Sequence, residues 1–272
     1  MTTEVYISVD IEGLTGFVHP AQDETEEMAT RMAAEVNAVI EGLTEATDVS
    51  RITVADAHGR MRTLRIDDLD ARVELVRGRN RPLGMVDGAD ENHAFAIFIG
   101  YHDRPGSGGV LEHTFSGSLD AVSLDGIDVG ETELNAAMLA TLDIPLAMVA
   151  GDDQLRTTLE DRMPDVAFVV TKNARGVQSA INRSIHEVTE ELTDTASMVG
   201  TDPPTAATLP IGLSSPVEVS IRFSSVDHAE LATLWPEVHH GDDSRTVTHI
   251  AEDIPSMYRF VRAAAAVNPQ DR

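Results

Sequence analysis

Two carboxylates follow a short apolar run near the start of the chain. Val5, Ile7 and Val9 alternate with other residues, which predicts a short buried strand. Asp10 and Glu12 come next, and side chains two residues apart in extended chain project to the same side. Like charges held together are costly unless a cation joins them. The pair indicates either a metal site or, as the plainer alternative, solvated acids that cap the following turn.

Further predicted strands end in the same kinds of side chain. Asp56 and His58 close the second strand, His102 closes the most apolar run of the chain, and Glu131 opens a helix. In open parallel sheets this edge binds ligands. Two imidazoles and three carboxylates are the ligand set of a hydrolytic centre of two zincs, or of zinc and manganese, ~3.5–4 Å apart. Each residue also has an ordinary explanation, such as a hydrogen bond or a helix N-terminus.

The elements that must position these groups follow from apolar periodicity. Strand–helix–strand order predicts right-handed parallel crossovers, and acids at 23–27 with an apolar stripe to 46 predict the first helix. The pattern changes after residue 165. We therefore predict an α/β fold with a mainly parallel sheet and flanking helices plus a smaller α+β unit. The predicted division is an α/β metal-binding domain over 1–165 and an α+β domain over 166–272, with no linker at the boundary.

The charge of the chain excludes several partners. Its 272 residues include 46 Asp and Glu against 20 Lys and Arg, a formal charge of −26, and Lys172 is the only lysine. So acidic a chain repels phosphate backbones and anionic membrane surfaces. A GC-rich genome explains arginine over lysine but not the acid excess. We favour adaptation to high salt, where screening acts within about 3 Å at 1 M.

Other sequence features narrow the class of protein. There is no cysteine, so disulfides and thiolate zinc sites are excluded. No signal peptide and no apolar run long enough for a bilayer is visible, and we expect a soluble, cytoplasmic protein. The glycine-rich segment 104–114 lacks the spacing of a phosphate-binding loop, which favours a mobile loop beside the site.

Taken together, the motifs resemble those of one family. The first of them is similar to the S-x-D-x-E-G signature of the DppA-type D-aminopeptidase family, zinc metallopeptidases linked to dipeptide transport. The resemblance holds in order and spacing from residue 5 to about 185, with weaker likeness beyond. The matching segments are Ser8-Val9-Asp10-Ile11-Glu12-Gly13, Asp56-Ala57-His58, Gly100-Tyr101-His102, Glu112-His113-Thr114, Gly130-Glu131 with Leu134-Asn135, and Met148-Val149-Ala150-Gly151-Asp152-Asp153.

The resemblance implies two zinc ions per subunit and a role for each matching residue. It also implies a catalytic role for His113 and a ring-like homo-oligomer, a decamer with an internal chamber. Ala57 stands where the family pattern has serine, which removes a hydroxyl beside the ligands but no ligand. Five residues would be metal ligands: Asp10 bridging the ions, Glu12 and His58 completing one site, and His102 and Glu131 completing the other.

The ligand set predicts metal-assisted hydrolysis. The resemblance implies an aminopeptidase that cleaves amide bonds, in particular a D-aminopeptidase acting on short D-amino-acid peptides or amides. His113 would act as general base, general acid or nucleophile, or would only donate a hydrogen bond to a ligand; an imidazole suits proton transfer near neutral pH. The alternatives are another two-metal amidohydrolase, a phosphatase, and a non-catalytic metal-dependent binding protein. The D-x-E opening and the lack of a phosphate cradle argue against the phosphatase.

Residues near the predicted site have two interpretations each. Asp56 is a candidate hydrogen-bond partner for a ligand histidine. Asp152 and Asp153 cap a helix or line the pocket, and we favour the cap. Lys172 and Arg175 either contact a substrate carboxylate or pair with surface acids.

Overall fold

The computed structural model of the protein describes residues 2–267. These residues form twelve β-strands in two sheets and six α-helices. In chain order the elements are β1 (Thr3–Val9), α1 (Glu26–Ala46), β2 (Val49–Asp56), β3 (Val73–Val76), β4 (Phe95–Tyr101), β5 (Leu119–Leu124), β6 (Ile127–Asp128), α2 (Glu131–Ala140), β7 (Leu146–Asp152), α3 (Asp153–Arg162), β8 (Ala167–Gly176), β9 (Ser179–Asn182), α4 (Ile185–Thr201), β10 (Val217–Phe223), α5 (Val226–Ala232), β11 (His239–His240), β12 (Thr246–Ala251) and α6 (Ile254–Ala266).

Seven strands form the larger sheet, in the order β3-β2-β1-β4-β7-β8-β9. All neighbours are parallel except β9, which pairs antiparallel with β8. The central strand β4 is buried along its whole length, as expected for a parallel strand covered on both faces. The predicted fold class, a mainly parallel sheet with flanking helices and a smaller unit, is confirmed.

Side-chain alternation along β1 assigns the two faces of this sheet. Val5, Ile7 and Val9 pack in one apolar cluster with α1 and α4. Tyr6 points to the opposite face, into a second cluster that includes residues of α2, α6 and the smaller sheet. Because β1 is buried on both faces and lies inside the sheet, its last residues have a fixed position relative to β2 and β4.

The smaller sheet is antiparallel, in the order β11-β12-β10-β5-β6. It combines strands from 119–128 with strands from 217–251. The larger sheet takes β8 and β9, which lie beyond residue 165. The strands are therefore not divided between the sheets at residue 165, and the division into domains at that point stays a prediction.

The first helix starts later than predicted. α1 begins at Glu26, because the side chain of Thr25 accepts a hydrogen bond from the N–H of Met28 at 3.3 Å and caps the helix. Asp23, predicted to lie in the first turn, therefore belongs to the preceding loop. No helix within residues 2–267 is long and apolar enough to cross a membrane.

Candidate metal centre

The loop after β1 is pinned to the end of β4. The N–H of Asp10 donates to the carbonyl of Ile99 at 2.8 Å, and the N–H of Gly13 donates to that of Gly100 at 2.7 Å. A Cβ on Gly13 would lie only 2.0 Å from the carbonyl oxygen of Tyr101. Only glycine permits so close an approach, and this packing fixes the segment that carries both carboxylates.

His58, in the loop after β2, lies against both of these carboxylates. Its Nδ1 is 3.2 Å from Oδ1 of Asp10 and 3.0 Å from Oε2 of Glu12. Its Nε2 is 3.1 Å from Oδ1 of Asp23. Asp23 therefore lies against the far side of the ring, in the place where Asp56 was expected.

Asp56 has a different function in the fold. Its Oδ2 accepts the N–H of Leu64 at 2.8 Å and so secures the loop after β2. The expectation that Asp56 supports a ligand histidine is wrong, because the side chain points to this loop.

His102 reaches the cluster from the end of β4 and is fully buried. Its Nδ1 lies 3.0 Å from the carbonyl of Asp103; a carbonyl only accepts, so Nδ1 carries the proton. Nε2 therefore points at Oδ2 of Asp10, 3.5 Å away, and at Oε1 of Glu131, 3.4 Å away. It has no hydrogen-bond partner within residues 2–267. A buried polar atom in this state requires an explanation, and a cation between the three groups supplies one.

Glu131 enters as the first residue of α2, where the helix dipole favours an acid. Its Oε1 accepts the N–H of Phe115 at 2.6 Å and lies 3.7 Å from Nε2 of His113. The ring of His113 stacks on that of His102, with centroids 4.2 Å apart and planes 8° apart. Its Nδ1 is 2.9 Å from the carbonyl of Leu111. His113 is partly exposed and stands at the boundary between the buried cluster and solvent.

The buried charges of the cluster shift one another strongly. Burial, helped by the charge of Glu12, raises the pKa of Asp10 to about 7. Burial opposes ionisation of Glu12, Glu131, His58 and His102 as well. Nevertheless the adjacent imidazoles hold the pKa of both glutamates below the usual value, and the carboxylates raise the pKa of both histidines well above theirs. The field of the cluster thus attracts positive charge, whether a proton or a metal ion.

The distances between the ligand atoms suit a divalent transition metal. A tetrahedral ion with bonds of about 2.0–2.2 Å separates its ligand atoms by about 3.4 Å, and the contacts above span 3.0–3.7 Å. Asp10 lies between two groups of ligands, with Oδ1 toward His58 and Oδ2 toward His102. The structure brings all five predicted ligands together. Two triads of closely spaced ligand atoms are Asp10, Glu12 and His102, and His102, His113 and Glu131. Both use Nε2 of His102, so they are alternatives, and a second ion requires His58.

Lys172 stabilises the loop that carries Glu12 and does not face the cavities. Its side chain is fully buried, and Nζ donates to the carbonyls of Glu12, Leu14 and Phe17. The expectation that it contacts a substrate carboxylate or a surface acid is therefore wrong. The only lysine of the chain fastens the loop that carries Glu12. Arg175 is exposed near the end of β8, and its role stays a prediction.

The other acids near this edge are engaged by the backbone. Oδ1 of Asp152 accepts the N–H of Leu155 at 2.9 Å and caps α3, as predicted, while its Oδ2 accepts the N–H of Val110 at 2.7 Å. The carboxylate of Glu112 accepts hydrogen bonds from Gly106, Ser107, Gly108 and Gly109. The glycine-rich loop is thus folded around the carboxylate of Glu112, which belongs to the same loop.

Two cavities open beside the cluster, and both are lined by His58 and His113. The acidic cavity, of about 280 Å³, is lined among others by Glu12, Asp23, Glu112, Phe17, Leu111 and Val177. The basic cavity, of about 220 Å³, extends from Asp10 and Glu131 to Arg79, Asn80, Phe115 and Arg262. Each has room for a small part of a ligand, such as one or two amino-acid residues.

A ligand set of carboxylates and imidazoles at the carboxyl edge of an α/β sheet, beside open cavities, is typical of metal-dependent hydrolases. Comparison with known proteins gives the family. The model of the D-aminopeptidase family, peptidase M55, matches residues 3–263, so the chain belongs to this peptidase family, as the sequence motifs indicated.

Individual relatives agree with this assignment. The chain is 29% identical over 265 residues to the D-aminopeptidase of Bacillus subtilis (strain 168), and the match covers 94% of each protein. Its fold is similar to the solved structure of the zinc-dependent D-aminopeptidase DppA from Bacillus subtilis, described as a self-compartmentalizing protease. The TM-score is 0.91 at 26% identity, covering 98% of this chain and 99% of that one.

Proposed function

We propose that this protein is a dinuclear zinc D-aminopeptidase that hydrolyses short D-amino-acid peptides or amides. The observation that carries the proposal is the position of Asp10, whose two oxygens face separate groups of buried ligands. Membership of the D-aminopeptidase family supports the reaction class, and the similarity to a zinc-dependent relative supports the metal.

The proposed ligands fall on the two sides of Asp10. Glu12 and His58, whose Oε2 and Nδ1 are 3.0 Å apart, would hold one ion on the Oδ1 side. His102 and Glu131 would hold the other on the Oδ2 side, and the unpartnered Nε2 of His102 supports this assignment. When bound, zinc ions of this kind lower the pKa of a water toward neutrality and polarise the scissile carbonyl.

His113 is the proposed catalytic residue of the chain itself. The carbonyl of Leu111 holds the proton on Nδ1, so Nε2 faces the cluster with a free lone pair. From this position the imidazole accepts a proton from the attacking water and returns it to the leaving amine. Stacking on His102 keeps the ring from rotating away. A His113→Ala variant that retains zinc and full turnover would exclude this role.

We also propose that the protein forms a homo-oligomer, in particular a decamer. The similarity to a self-compartmentalizing protease supports assembly. Sedimentation velocity in molar salt should give a single species of about ten chains, and a monomer would contradict the proposal.

The proposed environment is the cytoplasm of a salt-adapted cell. The formal charge of −26 supports it, because a dense carboxylate surface is destabilised by self-repulsion unless salt screens it. We expect the midpoint of thermal unfolding to rise steadily between 0.1 and about 3 M KCl. A midpoint independent of salt would contradict the proposal.

A substrate panel tests the proposed function. Purified protein should release D-alanine from D-Ala-D-Ala in molar salt, should act far more slowly on L-Ala-L-Ala, and should leave p-nitrophenyl phosphate unchanged. A chelator should abolish the activity, and added Zn²⁺ should restore it. Metal binding without hydrolysis of any peptide would indicate a binding protein, and turnover of the phosphoester would indicate a phosphatase.

A further inference from the structure

The two cavities at the metal cluster differ in charge away from the cluster, although the second also borders Asp10 and Glu131. The acidic cavity is lined by three carboxylates, whereas the far wall of the basic cavity presents Arg79 and Arg262. Both cavities include His58 and His113, so the cluster lies where they meet. A molecule bound across the cluster would therefore have one end among acids and the other among guanidinium groups.

The guanidinium of Arg262 is held in a fixed place. It projects from α6 and packs over the ring of Phe115, with Cζ 5.1 Å from the ring centroid. On another side it lies against Gly84, whose φ is +54°; a Cβ there would be 2.4 Å from Cζ of Arg262. Glycine at this position thus provides room for the guanidinium.

Arg262 has no acidic partner, although the chain is rich in acids. Arg162 pairs with Glu133 and Arg245 pairs with Asp120. Within residues 2–267, by contrast, no carboxylate lies within 4.0 Å of the Arg262 guanidinium. An arginine held in place but unpaired retains its donors for a ligand.

Phe115 connects this arginine to the candidate metal site. Its ring contacts Arg262, while its backbone N–H donates to Glu131. Phe115 therefore contacts both the guanidinium and a proposed zinc ligand, and both arginine and ligand line the same cavity. This arrangement suits a substrate that has a charged terminus close to the bond that is cleaved.

We propose that the basic cavity is the subsite for the free carboxylate of a di- or tripeptide, with Arg262 as its main contact. The amino-terminal residue of the peptide then lies toward the acidic cavity, where its ammonium group meets carboxylates. This inference rests on the proposed peptidase function, and it makes the substrate class short peptides with a free C-terminus. Arg79, exposed at the rim, adds positive charge.

The test compares D-Ala-D-Ala with D-Ala-D-alaninamide, which has the same scissile bond but no terminal carboxylate. The wild type should prefer the free acid in kcat/KM. For Arg262→Gln, kcat/KM on the free acid should fall about 10- to 100-fold, mainly through KM, because a charged hydrogen-bonded contact is lost. On the amide the variant should stay within about twofold of the wild type.

Two further variants distinguish substrate binding from folding. Arg262→Lys keeps the charge and should recover part of the preference for the free acid. Arg259→Gln is the matched control: Arg259 is one turn earlier on α6, exposed, and bonded to the carbonyl of Pro255, so both substrates should be unaffected. Each variant is compared by circular dichroism in the same salt.

The outcomes separate this subsite from the proposed function. Equal losses on both substrates in Arg262→Gln, or a wild type indifferent to the carboxylate, would overturn the subsite and leave the peptidase function standing. A wild type that cleaves neither peptide would overturn the proposed function, and the subsite with it.

Discussion

Asp10 and Asp152 are both buried aspartates at the carboxyl ends of strands in the same sheet, but their oxygens have different partners. Both oxygens of Asp152 accept backbone N–H groups, from α3 and from the glycine-rich loop. Oδ1 of Asp10 accepts one backbone N–H and faces His58, and Oδ2 faces only His102. Burial is nearly equal at the two positions, so burial alone does not indicate function.

The same contrast extends to the neighbouring glutamates. Glu112 is surrounded by four donors of its own loop, whereas Glu12 and Glu131 face imidazoles. Carboxylates satisfied by the backbone stabilise loops and helix ends. Carboxylates that face one another and histidine nitrogens need a cation. The partners of a buried acid therefore distinguish a structural position from a candidate ligand.

The largest effect is expected for Asp10→Asn. The amide keeps the shape but removes the charge shared by both proposed ions, so kcat/KM for D-Ala-D-Ala should fall on the order of 10³-fold or more. Steady-state kinetics with saturating Zn²⁺ measure the loss. Activity within tenfold of the wild type would place Asp10 with Asp152 among the structural acids.

Replacing the buried Lys172 should lower the stability of the fold more than replacing any surface charge. Lys172→Met leaves three carbonyls of the loop after β1 without their donor. We expect the free energy of unfolding to fall by about 3–5 kcal/mol. The control is Arg175→Met, which is exposed on the same strand and should change it by less than about 0.5 kcal/mol. Equal effects of the two substitutions would contradict the buried role of Lys172.

Glu35 is a third kind of buried acid, with one satisfied oxygen and one without a hydrogen-bond partner among the described residues. Burial raises its pKa from 4.5 to about 7. Between these values the unfolded chain has released the proton and the folded chain retains it. The folded chain binds this proton more tightly than the unfolded chain does, and this difference stabilises the fold. Its contribution is complete below pH 4.5 and is lost as the pH rises to 7.

Glu35→Gln cannot ionise and should not show this loss. Relative to the wild type, its free energy of unfolding should increase by up to about 3 kcal/mol between pH 4.5 and pH 8. Urea titrations of both proteins in the same salt measure the difference. A difference that stays constant with pH would mean that folding does not shift the pKa of Glu35.

Asp152→Asn should have the smallest effect. The amide retains one acceptor oxygen, so either the cap of α3 or the contact with Val110 is lost. The expected loss of stability is about 1–2 kcal/mol, with kcat per bound zinc unchanged. Loss of zinc in this variant would show that the acids bonded to the backbone and the proposed metal ligands are not independent.

Much of the fold follows from local sequence pattern. The alternation at residues 5–9 and the apolar run before His102 both predict the observed strand within one or two residues. The pairing of strands is not local. β5 joins β10, although nearly a hundred residues separate them, and no feature of either segment specifies the partner.

The candidate site, like the fold, was predictable where it depends on local sequence and not where it depends on distant contacts. Residue type and position at strand ends indicated four of the five proposed ligands, because parallel strands bring their ends together, and Glu131 was indicated at the start of a helix. Asp23, Lys172 and Arg262 escaped prediction as contributors to the site. Asp23 lies in an acidic segment typical of a helix start, and only the cap at Thr25 leaves it free to reach His58. The buried position of Lys172 depends on contacts with a loop some 155 residues away.

The central claim is that Asp10 joins two metal ions. The most direct test is the zinc content of the protein, measured by mass spectrometry after size-exclusion chromatography in molar salt. The wild type should contain two zinc ions per chain, and Asp10→Asn should contain fewer than one. A wild type without bound metal, or an Asp10→Asn variant that retains both ions, would contradict it.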